Sequence, residues 1–149
     1  MDVTYRLRYD HHDMINIGYV GDFYALLRAV EVLPNDAVLC LEGTATAADV
    51  VAFVEARQRR DPPSVEPNTV WPTPHQFHLP LDGTNLQELC SLAERHSEPE
   101  VADHLVVYRD DWVLLWAHDA GADRVRLSRR IPEETLDQFK GSLGAALRA

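Results

Sequence analysis

Hydrophobic and polar residues change their period several times along the chain, and each change marks an element. Residues 3–9, VTYRLRY, alternate Val3, Tyr5, Leu7 and Tyr9 with Thr4, Arg6 and Arg8, the period of a half-buried strand. From Asp22 the period lengthens: Phe23, Leu26, Leu27 and Val30 share a helical face, and Pro34 with Asn35 stops the run. Residues 37–42, AVLCLE, form a short apolar run that suits a strand buried on both faces. In TATAADVVAFVEARQRR, Thr46 is placed to cap a second helix, Asp49 suits its first turn, and Arg57, Arg59 and Arg60 suit its negative end.

Residues 61–75, DPPSVEPNTVWPTPH, carry five of the nine prolines, whose fixed φ and missing N–H exclude regular structure. Long connections of this kind inside a compact domain are often functional, which singles out Trp71. Beyond it QFHLPL reads as a short strand, and Pro80 places that strand at a sheet edge. TNLQELCSLAERH reads as a helix with Thr84 and Gln87 in capping-box spacing. HLVVYR, WVLLWA and RVRLS then form a three-stranded meander, and residues 131–149 close the chain with a helix that presents Leu136, Phe139, Leu143 and Leu147 on one side.

The predicted order is β-α-β-α-β-α-β-β-β-α: an α+β (mixed α/β) fold with a single mixed or antiparallel β-sheet of about five to six strands and about four helices packed on it. At 149 residues the chain, 1–149, fits one globular domain with a Pro-rich connection at 61–75. Cys40 and Cys90 both fall at apolar positions, which reads as two small buried hydrophobes in a reducing cytoplasm. The charged N-terminal stretch lacks the apolar core of a signal peptide, and no run approaches a membrane span, so the expected localisation is cytoplasmic, with no membrane partner.

Charge narrows the function classes further. The net charge of −10 divides into about −3 over residues 1–60, about −7 over 61–110 and about zero over 111–149. A field of that sign repels a phosphate backbone and disfavours nucleic acid, whereas it steers a basic protein partner inward.

The stretch DHHD offers His11, His12 and Asp13 as candidate catalytic groups, converging through loops with His75 or His78 in a small hydrolase-like, metal-assisted enzyme. His75 and His78 are the alternative metal ligands, although in an extended segment an i,i+3 pair points to opposite faces. NIGYVGDF only loosely mimics a phosphate-binding glycine loop, and Asp22 at the following helix opposes an anion there. No nucleophile elbow, Walker loop or dinucleotide fingerprint occurs, and no cofactor is implied.

The hairpin carries the strongest anomaly. With Asp110-Asp111 as a two-residue turn, Tyr108 faces Val113 and His104 faces Ala117, which sends His118 to the face away from His104. On that register Leu105, Val107, Trp112, Leu114 and Trp116 share one face and Val106, Tyr108, Val113, Leu115 and Ala117 the other, so both faces are apolar. The second face then needs a cover: the proline-rich strap, the C-terminal helix or another chain, a homodimer included. Arg124, Arg126 and Arg130 lie on one side of the last strand, as a charged edge would. Glu98, Glu100, Asp103, Asp110 and Asp111 surround the hairpin, and with Trp71 and Trp112 as anchors they suit an acidic partner-binding patch. The expected function is a non-enzymatic acidic interaction module, of inhibitor or immunity type, binding a basic protein; the small enzyme is the alternative.

Overall fold

The computed structural model describes residues 11–60, 62, 75–120 and 123–148. The predicted strand at 3–9, Trp71 and nearly all of the proline-rich connection lie outside these residues. In chain order the elements are β1 (Met14–Val20), α1 (Phe23–Ala29), β2 (Val38–Gly43), α2 (Ala48–Arg57), β3 (His75–Pro80), α3 (Asn85–Ala93), α4 (Glu98–Val101), β4 (His104–Arg109), β5 (Trp112–Ala117), β6 (Arg124–Ser128), α5 (Glu133–Leu143) and β7 (Leu147–Arg148). The strands form one seven-stranded sheet in the order β3-β2-β4-β5-β6-β1-β7, and every pairing is antiparallel.

The fold is therefore α+β, with seven strands among the described residues where five to six were expected, and no parallel pair among them. β1 and β2 are joined through α1 as a parallel crossover unit would be, but three strands separate them in the sheet. The first part of NIGYVGDF is the body of β1: Gly18, at φ +114°, sits where the β1–β6 register shifts, a bulge that glycine's missing Cβ permits. Asp22 caps α1 by accepting the Ala25 amide at 3.2 Å. Thr46 does not cap α2; its hydroxyl is buried without a hydrogen-bond partner, and Ala47 occupies the cap position. Thr84 stands at the N-cap of α3 without a side-chain bond, and the capping box is built instead by Ser97 and Glu100 at α4.

One face of the sheet carries the main core. Leu39, Leu41, Phe77, Leu79, Leu105, Val107, Leu115 and Leu127 pack there with Leu26, Leu27, Val50, Val54, Leu89 and Phe139 from the helices. α5 contributes Phe139 and Leu143 to this core, so it does not cover the opposite face. On that opposite face Met14, Val38, Cys40, Val106, Tyr108 and Val113 form a second buried cluster, made among the described residues of strand residues alone. β3 is an edge strand, as Pro80 required, and β2 is buried along its whole length. β6 is an interior strand, which overturns its reading as a charged edge. Its arginines instead lie over aromatic rings: Arg124 over Tyr19, Arg126 over Trp116, and beyond the strand Arg130 over Trp112 at 3.6 Å.

Candidate functional site

The β4–β5 hairpin does not keep the register read from its turn. Tyr108 pairs with Val113 as expected, but Val107 pairs with Leu115 and Leu105 with Ala117, so Leu114 is an extra residue on β5. This is a β-bulge, and it reverses the facing of everything after it. Leu114 and Leu115 both enter the main core, Trp116 turns to the second face, and His118 comes opposite His104. The two imidazoles stack with centroids 4.7 Å apart and planes 15° from parallel. The expectation that His104 and His118 lie on opposite faces is corrected by this single inserted residue.

His104 is 3% exposed and Glu42, its neighbour across β2, 2% exposed. Glu42 Oε1 accepts from Gln76 Nε2 at 2.8 Å, and its Oε2 lies 3.7 Å from His104 Nε2. The other nitrogen, His104 Nδ1, accepts the backbone N–H of Asp119 at 2.8 Å. A backbone amide can only donate, so Nδ1 carries the lone pair and the proton of the neutral ring sits on Nε2, facing Glu42. Burial holds the His104 pKa below the ordinary histidine value, against the pull of the Glu42 carboxylate.

The loop after β5 is fastened to the start of β4 at two points, Asp119 N–H to His104 Nδ1 and Ala120 N–H to the Asp103 carbonyl at 2.9 Å. Asp119 adopts φ +45°, a left-handed conformation that aspartate tolerates better than most residues. Its carboxylate reaches 3.6 Å from His104 Nδ1 and 3.5 Å from His118 Nε2. Donor atoms of His104, His118 and Asp119 all lie within 4.8 Å of one another. Asp103 accepts at long range from the Thr44 amide and hydroxyl, at 3.3 and 3.4 Å. Glu98, on α4, has its pKa raised by burial and by the like charges of Asp103 and Asp119. This end of the sheet therefore gathers Glu42, Glu98, Asp103, Asp119, His104 and His118. Among the described residues no arginine or lysine forms an ion pair with Glu98, Asp103 or Asp119.

The other candidate residues do not join it. β4 runs six residues, about 17 Å apart from first to last, so Asp110, Asp111 and Trp112 stand at the far end of the hairpin from Glu98, Glu100 and Asp103. The acidic residues thus make two groups. The far end is met by cations: Arg109 pairs with Asp36 at 2.9 Å, and Arg130 lies over Trp112. Glu100 is occupied by its capping box and by His96, whose ring also binds Asp49 at 2.8 Å. Asp13 accepts the Ser128 hydroxyl at 2.6 Å and sits 3.7 Å from Arg130, fastening β1 to the end of β6, while His12 is exposed. Four strands separate β1 from β3, roughly 24 Å, so His12 and Asp13 do not converge with His75 or His78, and the His11 side chain lies outside the described residues.

His75 and His78 do not converge with each other either. His75 is exposed and stacked beside Phe77, whereas His78 is buried on the second face. Its Nδ1 meets the Tyr108 hydroxyl at 2.8 Å and its Nε2 lies 3.9 Å from Cys40 Sγ, so both ring nitrogens have partners in a neutral ring. Burial, with the charge of Arg59, lowers the His78 pKa to about 4, while burial pushes Tyr108 up to about 12 and also raises the Cys40 thiol. A thiol kept protonated beside a neutral imidazole is not an activated nucleophile.

Fold and site together define an antiparallel α+β protein whose one sheet end concentrates carboxylates around a stacked histidine pair. No protein-family model matches the chain, and neither the curated proteins nor the solved structures contain a significant match.

Proposed function

We propose that the protein is a non-enzymatic interaction module that receives basic side chains of a protein partner at the end of the sheet bearing Glu98, Asp103 and Asp119. The observation that carries this reading is the like-charge crowding there. Glu98 is held partly buried beside two other carboxylates, a costly arrangement that an arriving cation relieves. Arginine or lysine from a partner supplies that charge, and the overall −10 steers it inward. An inhibitor or immunity-type role, occluding a basic partner, follows from the same chemistry. The enzyme alternative is favoured less, because His12 and Asp13 lie beside β1 while His75 and His78 lie on β3, at the other side of the sheet.

Affinity capture of the tagged protein from its source cells, at low and high salt, tests this. The wild type is expected to retain a stoichiometric basic protein that high salt releases. The Glu98→Lys/Asp103→Lys variant is expected to lose it and Asp110→Lys/Asp111→Lys to keep it. Absence of such a partner, or its loss from the second variant alone, overturns the proposal.

A further inference from the structure

We propose that His104, His118 and Asp119 form a binding site for one divalent transition-metal ion of the zinc class. The inference stands independently of the partner reading. Two imidazoles and a carboxylate suit Zn²⁺ or Co²⁺, whereas Ca²⁺ and Mg²⁺ favour oxygen-only sets.

The distances fit donors of a common ion. Asp119 lies 3.6 Å from His104 Nδ1 and 3.5 Å from His118 Nε2. These distances run to different carboxylate oxygens, Oδ1 and Oδ2, and one donor atom from each of the three residues lies within 4.8 Å of the others. The edge of a tetrahedron with metal bonds of about 2.0 Å is about 3.3 Å, so a small closure of the side chains gathers the donors around one ion. Among the described residues this is the only group of three or more histidine, cysteine, aspartate or glutamate side chains with donor atoms so gathered.

The surroundings supply a second argument. Metal-bound histidines commonly donate their other ring N–H to a carboxylate, which fixes the tautomer and raises the basicity of the ligating nitrogen. His104 is set up for that arrangement: its lone pair is on Nδ1, at the Asp119 end, and its Nε2 proton is directed towards the Glu42 carboxylate, 3.7 Å away, which Gln76 holds in turn. An ion at Nδ1 takes over the lone pair that now accepts the Asp119 amide. The cost is one backbone hydrogen bond, small beside a metal–imidazole bond. Glu98 and Asp103 add negative charge nearby.

The test is titration of the full-length, tag-free, chelator-treated protein alone, with Zn²⁺ followed by calorimetry and Co²⁺ followed by visible absorption. One ion per chain and a Co²⁺ ligand-field band are expected. His118→Ala, at a half-buried position after β5, and Asp119→Asn, at an exposed one whose left-handed backbone asparagine also tolerates, are expected to weaken binding by about 100-fold or more while leaving the circular dichroism unchanged. His96→Ala, remote from the site, is expected to leave binding unchanged. Failure to bind one equivalent, or binding that neither His118→Ala nor Asp119→Asn weakens, overturns the proposal. Since no partner is present in this titration, its failure leaves the partner reading standing, and a failed capture leaves the metal site standing.

Discussion

The buried His78 makes the stability of the protein depend on pH in a way one substitution can isolate. Its side chain is 5% exposed, bonded to the Tyr108 hydroxyl, and its pKa falls from 6.5 to about 4 on folding. Above pH 6.5 the ring is neutral in both states and the shift contributes nothing. Between pH 6.5 and about 4 the unfolded chain holds a proton that the folded chain refuses, so stability falls as pH falls through that window. Linkage between these two values gives a loss of about 1.4 kcal/mol at pH 5.5 and about 2.6 kcal/mol at pH 4.5. His78→Gln keeps a hydrogen-bonding side chain facing Tyr108 but cannot titrate. Urea unfolding followed by tryptophan fluorescence at pH 7.5, 5.5 and 4.5 measures both proteins, and carboxylate titration common to both cancels in the difference. The wild type is expected to lose more stability than the variant by the stated amounts. Equal losses would mean that the folded protein accepts the proton at His78, and would refute the account of a buried imidazole kept neutral on the second face.

His96 predicts the opposite sign: its hydrogen bond to Asp49 raises its pKa above 6.5, so its stabilisation is complete below pH 6.5 and fades as pH rises through the raised value. Melting temperatures at pH 6 and pH 8 are expected to differ less for His96→Gln than for the wild type; an unchanged pH dependence in the variant would count against the clasp. Cys40 and Cys90 are buried, with Cys90 raised to about 11 and Cys40 raised as well, so Ellman's reagent is expected to find no fast-reacting thiol in the native protein and two in urea. Rapid native labelling of either would contradict that burial.

Elements with an uninterrupted hydrophobic period were legible in the sequence. α3 shows a clear helical face, α5 keeps its own only as far as Leu143, since Leu147, read on the same helix, lies in β7 beyond Gly144, and β2 through β5 coincide within a residue or so with the apolar runs that predicted them. β1 was not, because Asn16 and Gly18 break its alternation and the bulge at Gly18 needs the β6 partner to define it. The histidine pair was hidden for a related reason. WVLLWA is apolar at nearly every position, so slipping by one residue after Val113 exchanges one buried side chain for another and leaves no trace in the pattern. Adjacent Leu114 and Leu115 in a strand apolar on both faces were the only hint. The acidic middle was legible as composition, but its division between two ends of β4 required the hairpin itself.

The bulge at Leu114 is the feature on which the site depends, since it alone brings His118 over His104. Nuclear Overhauser measurements on selectively histidine-labelled protein test it most directly, using His104→Gln and His118→Gln to assign the ring protons. With centroids 4.7 Å apart, cross-peaks between the two imidazole rings are predicted. Their absence, together with contacts from His118 to the helix-packed face of the sheet, would restore the unbulged register and contradict the site.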